Sequence, residues 1–322
     1  MKNKMKALSV LALATTLAVA GCSGTQSETP ADPGGMTPIT VAAVPVADVA
    51  PLYLGVEQGF FEDEGLDVTV QNVQGAAAAV PLLLNGEMQF AYGAVIPLIS
   101  IVASGVPAVY VTGGIARPDS PETDYSAVIT AKDSPIVDLE SLSGHSVAVN
   151  ALRGGPHLSV LVALEQAGVD PASVNFVELP MGDGLAAVER GDVDAAYLAE
   201  PFTSEARKSG FPVISSPVYE TAPEGATSGY FTVQPYLQSN GETVDAFARA
   251  IAKSVDYANA HPDEVRAQIA GYTGLDPEAI EEMIIPTFTA ELTLPSLEAM
   301  IGQLDDQGWL DTVPDAASMV RG

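Results

Sequence analysis

One offset of 105 residues carries parts of this sequence onto themselves without a gap. Ala43-Val44 recurs as Ala148-Val149, Pro51 as Pro156, Gly86 as Gly191, Ala91-Tyr92 as Ala196-Tyr197, and Ser104-Gly105 as Ser209-Gly210. The matches fall at equivalent places in an alternating pattern. Ile39 to Val44 reads as an apolar strand stopped by Pro45, and Pro51 opens a helical stretch ending near Gly59. Leu66 to Val70 alternates as a strand does. Gly75 opens an alanine-rich helix to Leu84, and Met88 to Tyr92 is a strand after the Asn85-Gly86 turn. This alternation predicts an α/β fold with a largely parallel sheet. Its recurrence predicts two lobes of similar build with a cleft between them, a preferred place for a ligand.

The tail, from about Gln234, reads as helical. Val244, Phe247, Ile251 and Val255 are spaced by three or four, so the helix over Thr243 to Ala258 buries one face. Pro262 and Asp276-Pro277 mark helix starts. Leu294 to Leu304 and Trp309 close the pattern, with Trp309 read as a packing residue.

Composition narrows the function. The 322 residues carry 13 Lys+Arg against 41 Asp+Glu, a formal charge of −28. Nucleic-acid binding needs cations to neutralise phosphates, so such a partner is excluded. One cysteine makes neither an internal disulfide nor a cysteine-based zinc site, and His145, His157 and His261 are too scattered to suggest a metal cluster. The sequence has no Gly-x-Ser-x-Gly elbow and no zinc-protease histidine pair, so catalysis is poorly supported. No cofactor and no metal are expected.

The single cysteine has a position that explains it. Lys2, Lys4 and Lys6 precede an apolar run from Ala7 to Ala20, shorter than the roughly 20 residues a transmembrane helix needs. The run continues Leu17-Ala18-Val19-Ala20-Gly21-Cys22, which resembles a bacterial lipoprotein signal. That resemblance implies removal of residues 1–21, lipidation of Cys22 and anchoring at the extracytoplasmic face of the cell membrane. Loss of three lysines would leave 10 − 41 = −31 charges. Residues 22–37, rich in Ser, Thr, Pro and Gly, read as a flexible tether.

Several segments together resemble a known family. They are Pro51-Leu-Tyr-Leu-Gly-Val-Glu-Gln-Gly-Phe-Phe-Glu-Asp-Glu-Gly-Leu-Asp-Val, then Leu84-Asn-Gly-Glu-Met-Gln-Phe-Ala-Tyr-Gly, then Lys132-Asp-Ser-Pro-Ile with Leu139 to Val149, then Glu200-Pro-Phe. In this order they are similar to bacterial periplasmic-type binding proteins for aliphatic sulfonates, nitrate, taurine and thiamine precursors. The resemblance implies an α/β fold of the type II periplasmic-binding-protein kind, with two similar lobes joined by a hinge and a ligand cleft between them. It implies lobe one over 38–120 and 231–322 and lobe two over 121–230. It also implies a monomer that captures a small organic solute and delivers it to the membrane permease of an ABC importer. Some enzymes share this fold, including ones of menaquinone and thiamine-precursor synthesis, and a ligand-sensing lipoprotein without an importer would look the same.

Candidate ligand contacts follow from strand ends. In open α/β sheets a ligand sits beyond the carboxyl ends of the strands, where helix N-termini leave amides unpaired. Asp48, Tyr53, Gly75, Ala76, Asn150, Gly154 and His157 lie in such loops, and Tyr92, Gly93 and Tyr197 close two equivalent strands. Arg153 stands between a strand and the Gly154-Gly155-Pro156 helix start, and no Lys or Arg occurs between Lys6 and Arg117. It can grip a sulfonate or carboxylate with two prongs, or stand in solvent. His157 can donate to the same ligand or cap the helix. Asp48 can accept from a ligand amine or cap the helix near Pro51. Glu200 can bind an amine or shape its Glu-Pro turn. The hinge is expected near Arg117–Ser126 and Gly229–Val233.

Overall fold

The computed structural model describes residues 35–321. The signal segment 1–21, Cys22 and most of the tether lie outside the described residues. The first strand starts at Thr37, the last residue of the expected tether.

Among the described residues, ten strands divide between two five-stranded sheets. The first holds β1 (Thr37–Ala43), β2 (Leu66–Asn72), β3 (Phe90–Ala94), β4 (Ala108–Gly113) and, late in the chain, β10 (Ser228–Val233). The second holds β5 (Ser126–Thr130), β6 (Ser146–Val149), β7 (Asn175–Glu178), β8 (Ala195–Ala199) and β9 (Val213–Ser215). Their spatial orders correspond: β2-β1-β3-β10-β4 and β7-β6-β8-β5-β9. In each sheet the first three strands are parallel and the fourth runs against both its neighbours. That opposed strand is the one the chain lays down on entering from the other sheet. Central strands covered on both faces need apolar residues throughout. The buried runs of β3, β5 and β10 meet that need for most of their length, whereas the edge strand β2 alternates buried and open positions.

Helices cover both faces of each sheet. They are α1 (Ala50–Glu57), α2 (Phe60–Asp63), α3 (Ala76–Leu84), α4 (Val95–Ala103), α5 (Gly155–Gln166), α6 (Met181–Arg190) and α7 (Phe202–Lys208). After these come α8 (Pro217–Thr221), α9 (Gln234–Ser239), α10 (Gly241–Ala260), α11 (Pro262–Thr273), α12 (Pro277–Glu282) and α13 (Leu294–Asp306). The 105-residue offset carries the start of α1 onto that of α5, the whole of β3 onto β8, and the start of β4 onto that of β9. Tail helix α10 lays Val244, Phe247, Ile251 and Val255 against the first sheet, and the Phe247 ring stacks on Phe90 at 3.9 Å. Pro262 and Pro277 stand in the first turns of α11 and α12, where a missing N–H costs nothing.

The chain crosses between sheets twice, and the crossings are paired. Arg117 N–H donates to Gly225 O at 2.8 Å and Thr227 N–H to Ile115 O at 2.9 Å, around an antiparallel bridge of Ala116 with Ala226. The second crossing therefore precedes β10 instead of falling at Gly229–Val233, which is buried between β3 and β4. A Cβ on Gly229 would run into the Thr112 carbonyl, so this glycine serves close packing. Asp124, buried in the first crossing, accepts from Ser126 N–H and Oγ–H at 2.8 Å each and from Tyr219 N–H at 2.8 Å.

Candidate ligand cleft

Two adjoining chambers open where the carboxyl ends of both sheets face each other, and Asp48, Ala94 and Ile96 line both. The inner chamber, about 210 Å3, takes walls from either side: Ile115 and Ser228 from the first sheet's elements, Tyr197, Pro156 and Leu158 from the second's. Met300 and Gln303 of α13 complete it. The outer chamber, about 580 Å3, runs between Gly75, Ala76, Tyr92 and Gly93 on one side and Leu152, Arg153 and Gly154 on the other. Most of the lining is apolar.

A short polar chain crosses this apolar ground. The Tyr92 hydroxyl donates to Asp48 Oδ2 at 2.9 Å. Its oxygen also lies 2.5 Å from Ser228 Oγ. One hydroxyl proton serves one acceptor, so Ser228 donates to Tyr92 and in turn accepts from Ile115 N–H at 3.1 Å. Burial pushes the Asp48 carboxyl above its ordinary value, with the Tyr92 hydrogen bond pulling the other way. Burial, and next the Asp48 charge, hold the Tyr92 phenol well above its ordinary value. Tyr92 fits because position 114 is glycine: a Cβ there would stand 2.7 Å from the Tyr92 ring and 2.9 Å from Ser228 Oγ. Across the inner chamber, the Tyr125 hydroxyl and Thr227 Oγ1 lie 3.2 Å apart.

Of the residues singled out by strand ends, Asp48, Gly75, Ala76, Tyr92, Gly93, Arg153 and Gly154 line the outer chamber, and Asp48 and Tyr197 the inner. Four stand outside both. Tyr53 is turned away, stacked on Tyr272 at 4.3 Å and donating to Asn72 Oδ1 at 3.3 Å. Asn150 is exposed beyond β6. The His157 ring packs on Phe176 and Trp309, and its Nδ1 accepts Arg153 N–H at 2.9 Å. Burial lowers its pKa, which favours the neutral imidazole this acceptor role requires. That bond holds Arg153 in the left-handed region, at φ 59°. Glu200 accepts from Ser204 Oγ–H at 2.8 Å at the start of α7, and burial raises its pKa.

Arg153 reaches outward. Its Nη2 donates to the Trp309 carbonyl at 3.2 Å, and the guanidinium lies 5.7 Å from the indole centroid. Similar links bridge the rims elsewhere. Lys208 on α7 contacts Glu278 and Glu282 on α12 at 2.7 Å each. Gln303 donates to Thr221 O and Gln307 to Glu165 Oε1, both at 2.8 Å.

Sequence reasoning missed Tyr125, Ser159, Val218, Thr227, Ser228, Met300 and Gln303, all in the inner wall. Tyr125, Thr227 and Ser228 adjoin the crossings, so pairing the crossings would have drawn attention to them. Nothing local marks Met300 and Gln303, which reach the cleft only through the packing of the tail.

The sequence profile of the family described as NMT1/THI5 like matches residues 46–265. The taurine-binding periplasmic protein of Escherichia coli (strain K12) is 25% identical over 271 residues, spanning 79% of this chain and 82% of that one. The 4-amino-5-hydroxymethyl-2-methylpyrimidine phosphate synthase of Aspergillus parasiticus is 25% identical over 228 residues, spanning 66% of this chain and 64% of the enzyme. Among solved structures, the periplasmic aliphatic sulphonate binding protein SsuA of Escherichia coli superposes with a TM-score of 0.75 at 19% identity, covering 88% of this chain and 92% of SsuA. That likeness establishes the periplasmic-binding-protein fold, and with residues 46–265 covered by its profile the chain belongs to the NMT1/THI5-like family.

Proposed function

We propose that this protein is the solute-binding component of an ABC importer, capturing a small organic solute between its lobes and handing it to a membrane permease. The observation that carries this reading is the cleft: both sheets aim their carboxyl ends at it, both wall it, and among the described residues the backbone passes between them at two paired crossings. In this proposal the expected lobe bounds, 38–120 with 231–322 and 121–230, move at the second crossing to 228–322 and 121–227 so that β10 stays whole in lobe one, and the lobes turn about the crossings as ligand contacts with both favour a closed form. The protein works as a monomer, anchored through Cys22 on the extracytoplasmic face of the membrane. Among the described residues no helix is long and apolar enough to cross a membrane, so such a location rests on the anchor. The solute is sulfonate-, taurine-, nitrate- or thiamine-precursor-like.

A thermal-shift screen over those classes tests the capture reading, because stabilisation grows with ligand excess over its dissociation constant. The match to a synthase supports a second reading, an enzyme on the same fold. Mass analysis of a bound solute separates the two: a binding protein releases it unchanged, an enzyme releases a product.

A further inference from the structure

We propose that the solute carries an amine or ammonium head, which docks on Asp48 where the two chambers meet, while a small apolar or aromatic body lies along the cleft. This rests on the capture reading and narrows it. Among the described residues, Asp48 is the one charged residue lining the inner chamber, and it lines the outer one too. Among the described residues it has no ion-pair partner. Tyr92 satisfies one of its oxygens and leaves acceptor capacity for a ligand N–H. A carboxylate placed in an apolar wall is costly unless a donor or cation meets it there.

The rest of the cleft agrees. A sulfonate placed in the inner chamber would meet this carboxylate and no cationic side chain. The nearby Arg153 is engaged outward with Trp309. Tyr125 and Tyr197 are in the lining, and aromatic rings suit an ammonium or a flat body. Ile115, Leu158 and Met300 suit an apolar body. The net charge of −28 steers cations toward the protein and anions away.

The test uses pairs matched in body and opposite in head: amine and sulfonate on phenylethyl, propyl and pyrimidinylmethyl bodies. Binding to the wild-type protein and to Asp48→Asn is followed by calorimetry and thermal shift. The expected result is that at least one amine binds and its sulfonate twin does not, with Asp48→Asn weakening that amine at least about tenfold, as loss of a charge-assisted bond requires. The head-group comparison on the wild type stands even if the variant fails to fold. Sulfonates binding in preference to amines, or an amine binding equally to Asp48→Asn, would overturn the assignment and leave capture standing. If no compound of either head binds, and the wider screen is also silent, both readings fall.

Discussion

Tyr92 donates its phenolic proton to Asp48 across 2.9 Å, and the pair joins the middle of β3 to the loop after β1 at the junction of the two chambers. This contact sets a largely desolvated carboxylate where the two chambers meet. It links the cost of that carboxylate to what the cleft can hold.

The cost is measurable. Burial raises the Asp48 pKa in the folded protein above its ordinary 3.8. A group shifted this way contributes stability that is complete below the ordinary value and lost as pH rises through the folded value. At neutral pH the unliganded protein therefore carries a destabilising carboxylate. Asp48→Asn should melt higher than wild type at neutral pH without ligand, and the gap should shrink as pH falls toward the ordinary carboxylate range. Thermal melts across pH check this.

Gly114 makes room for that pair without taking part in it. Gly114→Ala puts a Cβ 2.7 Å from the Tyr92 ring, among neighbours too buried to yield. Overpacking of this kind costs about 1–3 kcal/mol. Denaturant unfolding should show a loss of that size, and calorimetry a weaker ligand affinity, though residue 114 makes no polar contact with Asp48.

Much of the fold was legible because its signals are local. Pro51 and Pro156 mark equivalent helix starts, and Tyr92 and Tyr197 fall at equivalent places, though each stands mid-strand in β3 and β8 rather than at the strand end expected. The site was legible only in part. A residue in a loop after a strand can line the cleft, as Asp48 does, or brace the loop, as His157 does through Arg153 N–H. Both fit the same pattern, and only packing separates them. Met300 and Gln303 depend on where the tail folds back, which no local periodicity records.

Asp124 pins the first crossing with three hydrogen bonds to its carboxylate. Asp124→Ala strips the partner from the buried amide and hydroxyl of Ser126 and from the part-buried Tyr219 amide, a loss of at least about 2 kcal/mol. The expected outcome is a lower denaturation midpoint, read by circular dichroism.

Lys208 joins α7 to α12 across one rim through Glu278 and Glu282. These are exposed contacts, and salt screens them. Lys208→Ala should enlarge the radius of gyration of the unliganded protein at low salt. High salt should expand the wild type in the same direction and leave the variant little changed. Scattering over a salt series reads both.

Capture of a solute between moving lobes is tested most directly by small-angle scattering on one sample, before and after saturation with a compound that calorimetry shows to bind. The account predicts a smaller radius of gyration and a shorter maximum dimension in the bound protein. A bound protein with the unliganded scattering profile would contradict it.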